Sequence, residues 1–228
     1  MRCGLDLGGT KIEAIILDDA GEIIWRQRQP TPSADYAEIL DTLSTIVARA
    51  DAEAGCQLSV GIGMPGSISP LTDRVRNSNT LCLNDQPIHQ DLQQRLNRDV
   101  RVANDANCFA LSEAVDGAGQ GANSVFGVIL GTGCGGGFVF NQKLQNGANG
   151  IGGEWGHNPL ASPTADELPG PDCYCGRRGC NEVWISGSGF ARDHLAVTGE
   201  NLTAEAIMAA GTPQSEASFE RLCDRIAR

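Results

Sequence analysis

Hydrophobic and polar positions alternate at the start of the chain and then switch to a helical rhythm. Residues 2–7 (RCGLDL) read as a buried strand that breaks at Gly8-Gly9. The segment KIEAIILD reads as a second strand, and AGEIIWRQRQP opens with a turn and gives a third. Three strands joined by tight turns predict an antiparallel meander. In DYAEILDTLSTIVARADAEAG, residues Tyr36, Ile39, Leu40, Leu43, Ile46, Val47 and Ala50 share one helical face, and Gly55 ends the helix. LSVGIGMPG then reads as a buried strand closing in a Pro-Gly turn. DLQQRLNRD is a short helix, VRVAND a strand, and ANCFALSEAV a helix starting at Asn104-Asp105.

The order β-β-β-α-β-α-β-α predicts one α/β domain over residues 1–117. The glycine-rich DGAGQGAN is a natural hinge, so a second domain is expected over 118–228. It opens with two strands, SVFGVILGTG and GGGFVFNQKL, and turns mostly helical from Gly187. The last helix places Phe219, Leu222, Cys223 and Ile226 on one face and ends without a capping residue. A helix with such a face needs a partner. It packs on its own domain or belongs to a longer parent, and the second reading is the expectation.

Composition narrows the function classes. The net charge of −11 disfavours nucleic-acid and anionic-membrane partners, which require a basic surface. It leaves phosphate ligands open, because backbone N–H groups hold phosphate without lysine. The N-terminus shows no apolar signal segment and the apolar runs are too short to span a bilayer, so a cytoplasmic protein is expected. In a reducing compartment, nine cysteines without a secretory signal point to metal before disulfide.

The glycines carry two readings. GTGCGG (131–136) fits G-x-G-x-x-G after a strand, yet GFVFNQKL behind it is rich in β-formers where a dinucleotide site needs a helix. LGGTK lacks the first glycine of a P-loop. DLGGTK and LGTGCGGG instead read as two strand–turn–strand segments, one per domain. As ordinary hairpins they do nothing. As a facing pair, Gly8, Gly9, Thr10 and Lys11 with Gly131, Thr132 and Gly133 grip a chain of phosphates. Asp6, at the end of its strand, suits a magnesium shell. In CYCGRRGCNE, Cys173, Cys175 and Cys180 are spaced for a metal, for a bridge, or simply as small loop residues.

DLGGTK, NDANCFALSEA, LGTGCGGG, GEWGHNPL and CYCGRRGCNE occur in the order seen in the ROK family of bacterial sugar kinases, which the whole chain resembles. Within it, PGSISP, NDANC, GTGCGGG and GEWGHNPL look most like the fructokinase (manno(fructo)kinase) branch, with N-acetylglucosamine kinases as near relatives. The resemblance implies an actin/hexokinase-type fold of ribonuclease H-like repeats, two lobes around a cleft, and a C-terminal part missing from this chain. It implies an ATP-dependent hexose kinase using Mg2+, with D-fructose the first substrate and mannose the second. N-acetylglucosamine or glucose, an inactive truncated fragment, and a sugar-sensing regulator are the alternatives. It implies a homodimer, with no nucleic-acid or membrane partner.

Residue by residue, the resemblance makes Asp105 the general base, where the residues alone suggest a helix N-cap. Asn104, Glu154, His157 and Glu182 match sugar contacts, and Gly66 and Asn79 are weaker matches. Glu154 and His157, three apart, share a face only if their segment is helical. His157 with Cys173, Cys175 and Cys180 forms the family's zinc site, placing a structural Zn2+ in the 157–180 loop. One ring nitrogen of His157 would bind zinc and the other would face a sugar hydroxyl.

Overall fold

The computed structural model describes residues 1–228. Contacts divide it into two units, Met1–Ser112 with Asn146–Gly152, and Glu113–Gln145 with Gly153–Arg228.

In the first unit, alternation produces β1 (Arg2–Leu7), β2 (Lys11–Leu17) and β3 (Ile23–Pro30), followed by α1 (Tyr36–Ala54) and β4 (Ser59–Met64). A small hairpin of β5 (Ser67–Ile68) and β6 (Val75–Arg76) precedes α2 (Ile88–Leu96), β7 (Val100–Asn104) and α3 (Asp105–Val115). The sheet order is β3-β2-β1-β4-β7. The meander strands are antiparallel, whereas β4 and β7 lie parallel to β1, each reached through a helix.

One face of the sheet buries Leu5, Leu7, Ile12, Ile16, Val60, Ile62 and Met64 against Ile39, Leu43 and Ile46 of α1 and Ile88 and Leu92 of α2. Truncating any of these leucines or isoleucines to Ala costs about 2–5 kcal/mol. The Asp35 side chain caps α1 by accepting from the Ala37 and Glu38 N–H groups, and Gly55 ends it at φ 67°. The other face carries glycines at 4, 61 and 63. It borders a cavity of about 1130 Å3 whose lining includes Asp6, Ile15, Leu17, Asp105 and Cys108. Asn146–Gly152 belong to this unit although Glu113–Gln145, just before them, do not. The Asn149 carbonyl accepts from Arg76, and Gly150 packs on Ile68 and Pro70.

The second unit pairs β8 (Ser124–Leu130), β9 (Cys134–Phe140) and β10 (Lys143–Leu144) in one antiparallel sheet. The glycine run 131–137 is therefore a hairpin, as the β-formers behind it predict, and opens no helix. Four helices follow: α4 (Asn181–Ile185), α5 (Gly187–Thr198), α6 (Ala204–Ala210) and α7 (Pro213–Ala227).

The terminal helix leaves most of its apolar face uncovered, with Leu222 alone packed on the core. Phe219 and Ile226 are exposed, and α7 turns Ser215, Ser218 and Arg225 inward. Arg225 pairs with Glu167 at 2.8 Å and Asp193 at 2.9 Å and lies over the Trp184 ring. Arg228 also pairs with Glu167, and Arg221 with Asp193. His194, fully buried, hydrogen-bonds Ser218 at 2.8 Å and Glu200 at 3.3 Å. This Ser-His-Glu order looks like hydrolase chemistry, yet Ser218 is fully buried, so it is a tie between α5 and α7. A polar network on the neighbouring side fixes the helix. No helix is long and apolar enough to cross a membrane.

Candidate active site

In the first unit, the parallel strands β1, β4 and β7 end side by side, with Asp6 opposite Gly63 and Gly63 opposite Ala103. Glycine between them leaves open the ground separating Asp6 from Asp105. Both carboxyls are pushed above the usual carboxylate range, chiefly by desolvation along the sheet, although each keeps an exposed side. The Asp105 charge adds to the rise at Asp6.

The strand-to-helix junction resolves the two readings of Asp105. Asn104 is the main cap of α3: its Oδ1 accepts from the Ala106 N–H at 2.9 Å and the Asn107 N–H at 3.2 Å. Asp105 accepts from the Ala106 N–H beside it, at 2.8 Å. The Asn104 amide nitrogen donates to the Gly66 carbonyl at 3.0 Å. Gly66 sits at φ 84°, where a Cβ would lie 2.6 Å from the Arg76 carbonyl oxygen, so the turn admits no side chain. Asn79 is drawn to the Gly8-Gly9 turn, its Oδ1 4.0 Å from where a Gly9 Cβ would stand. The Gly8 N–H donates to the Lys11 carbonyl and the Thr31 hydroxyl to the Gly8 carbonyl, locking that turn. Asp6, Gly8, Gly9, Thr10, Lys11, Gly66, Asn79, Asn104 and Asp105 thus all belong to one unit. Cys108 joins them unannounced: its Sγ would lie 3.4 Å from a Cβ on Gly63.

In the second unit, the turn Gly131–Gly133 links β8 to β9. Its Gly131 N–H is taken by the Gly133 carbonyl. The start of α5 clamps it: the Gly187 N–H donates to the Gly131 carbonyl at 2.7 Å and Ser188 Oγ to the Thr132 carbonyl at 2.8 Å. Glu182, in the first turn of α4, accepts from the Cys134 N–H at 3.2 Å. A Cβ on Gly133 would fall 2.7 Å from Glu182 Oε2. The turn and the Glu182 carboxylate are therefore one packed feature, which spacing alone did not reveal. Cys134 is buried, and desolvation followed by the Glu182 charge pushes its thiol up to about 12, which leaves it unreactive.

Residues 153–157 are irregular, so Glu154 and His157 do not share a helical face. The loop instead lies directly on β9: a Cβ on Gly136 would sit 2.8 Å from the Gly153 carbonyl oxygen. Trp155 Nε1 donates to the Gly135 carbonyl at 2.9 Å. The glycines of β9 make this close crossing possible.

His157, Cys173, Cys175 and Cys180 converge, their ligand atoms all within 4.8 Å of one another. His157 Nδ1 is 3.5 Å from Cys173 Sγ, and Cys175 Sγ is 3.7 Å from Cys180 Sγ. That separation excludes a disulfide. A tetrahedral zinc with sulfur ligands near 2.3 Å spaces them about 3.8 Å apart, so the donor set and its spacing fit zinc. The other ring nitrogen, Nε2, meets the Tyr174 hydroxyl at 3.0 Å. Desolvation, then the Glu182 and Cys173 charges, push this phenol up to about 12.

Comparisons with known proteins identify the family. The ROK family model matches residues 2–228. An N-acetyl-D-glucosamine kinase of Pasteurella multocida is 44% identical over 213 residues, 91% of this chain and 70% of its own length. One from Pectobacterium carotovorum is 42% identical over 100% of this chain and 77% of its own. Among solved structures, a ROK hexokinase from Thermus thermophilus is 32% identical with a TM-score of 0.85, covering 99% of this chain and 74% of that one. A ROK glucokinase from Streptomyces griseus, solved with glucose and AMPPNP, is 30% identical with a TM-score of 0.75, covering 98% and 76%. The two sequence relatives are named for N-acetyl-D-glucosamine and not for fructose. The chain belongs to the ROK family and has its hexokinase-type mixed α/β fold.

Proposed function

We propose that this protein is an ATP-dependent sugar kinase that transfers the γ-phosphoryl group of ATP to the 6-hydroxyl of N-acetyl-D-glucosamine. The observation that carries the assignment of the base is the division of labour at the β7–α3 junction. Asn104 makes the two main cap bonds of the helix, and the raised pKa of Asp105 makes it a stronger base. Asp105 takes the proton of the hydroxyl as its oxygen attacks phosphorus. Asn104, Gly66 and Asn79 shape the sugar contacts on the first unit; Glu154, His157 and Glu182 supply those on the second. Gly8–Lys11 and Gly131–Gly133 are the phosphate turns. Asp6 would hold Mg2+, which neutralises phosphate charge when bound. His157, Cys173, Cys175 and Cys180 would hold a structural Zn2+, which keeps His157 and the start of α4 in place. The names of the sequence relatives support N-acetyl-D-glucosamine over fructose.

A coupled ADP-release assay with N-acetyl-D-glucosamine, glucose, mannose and fructose tests the substrate. The expected result is the highest kcat/KM with N-acetyl-D-glucosamine. A preference for fructose would restore the earlier expectation, and no turnover with any of the four would end the kinase reading.

A further inference from the structure

The sugar contact assigned above to His157 already holds a hydroxyl. With Nδ1 on the metal side, Nε2 of His157 carries the ring proton and donates to the Tyr174 oxygen at 3.0 Å. The Glu182 carboxylate is near enough for its charge to act on the phenol. A hydroxyl that accepts from this imidazole beside a carboxylate does what a sugar hydroxyl would do at the same place. Little else holds the ring. It is 83% exposed, and its one aromatic neighbour is His157, edge-on with centroids 5.0 Å apart. Its backbone, between Cys173 and Cys175, is fixed by the Cys173 N–H to Arg177 carbonyl bond and the Gly176 N–H to Cys173 carbonyl bond. Rotation about the side-chain bonds is thus enough to move it.

We propose that Tyr174 is a built-in stand-in for a sugar hydroxyl: its phenol fills the His157 contact beside Glu182 and swings out when sugar binds, lowering sugar affinity. This rests on the sugar-kinase reading. Sugar must exchange this phenol hydrogen bond for its own, so the net gain on binding is smaller than the contacts alone would give. Removing the competitor returns one hydrogen bond's worth of affinity, about tenfold in Kd.

The test is calorimetric titration of the zinc-loaded chain with N-acetyl-D-glucosamine, comparing wild type, Tyr174→Phe and Tyr174→Ala at matched zinc content and melting temperature. Both variants are expected to bind about tenfold tighter. Equal or weaker binding in both overturns the proposal, weaker binding meaning that the phenol touches the sugar. A second reading uses wild type alone. The chain has two tyrosines, so sugar should shift the tyrosine absorption band, and the shift should vanish in Tyr174→Phe. Sugar binding without that shift also overturns the proposal. Failure of wild type to bind any hexose overturns the kinase reading, and this proposal with it.

Discussion

Replacing Asn104 and Asp105 one at a time separates structure from chemistry at adjacent positions. Asn104→Ala removes the acceptor for the Ala106 and Asn107 N–H groups and the donor to Gly66. Losing an N-cap costs about 1 kcal/mol, and losing the Gly66 tie about 1 kcal/mol more. The expected loss is about 2 kcal/mol, or roughly 4–8 °C in Tm for a chain of this size. Asp105→Asn keeps an acceptor for the Ala106 N–H, so its stability should change by less than about 0.5 kcal/mol. Its turnover should fall by about 10²–10⁴ with sugar binding largely kept. The pH dependence has a definite sign. The folded state raises the Asp105 pKa, so it disfavours the charged form, and the wild type loses stability as pH rises through that raised value. Asp105→Asn escapes this loss, so at neutral pH it should be no less stable than wild type. Any advantage should fade as pH falls below the ordinary value of 3.8. Urea unfolding and steady-state kinetics on both variants measure all of this. A stability loss in Asp105→Asn with none in Asn104→Ala would return the cap to Asp105 and refute the reasoning.

Metal analysis should find one zinc per chain, lost in Cys180→Ser, with stability and sugar affinity falling together; a zinc-free protein that binds sugar normally would break the link between them. Glu167→Gln leaves the buried Arg225 with Asp193 alone and should cost about 3 kcal/mol in urea unfolding at neutral pH. The Arg228 hydrogen bond is the largest cause holding the Glu167 carboxyl well below its ordinary 4.5, so its contribution is present above that value. The gap between wild type and Glu167→Gln should therefore narrow as pH falls below 4.5, and a gap independent of pH would rule out the ion pairs as its source.

The first unit was largely legible because its signals are local. Ile39, Leu43 and Ile46 repeat at helical spacing, and Leu5, Leu7, Ile12 and Ile16 alternate against them. The cysteine and histidine positions also spoke for themselves once the family pattern was recognised. What holds the terminal helix was not legible, because hydrophobic pattern ignores ion pairs: Phe219 and Ile226 face out while Arg225 is buried by Glu167, Asp193 and the Trp184 ring. Spacing could not separate Asn104 from Asp105 as the cap, since either side chain can reach the same N–H groups. Glu182 reaching the Cys134 N–H, and Tyr174 reaching His157, depend on how loops distant in sequence fold together. An exposed tyrosine among thiols carries no signal of its own.

The most direct test of the central claim is to identify the product. Wild type and Asp105→Asn should be incubated side by side with N-acetyl-D-glucosamine and ATP, and the phosphorylated oxygen assigned by carbon–phosphorus coupling in NMR. The account predicts the 6-phosphate from wild type and almost none from Asp105→Asn. Phosphate on another oxygen, or product from Asp105→Asn at the wild-type rate, would contradict it.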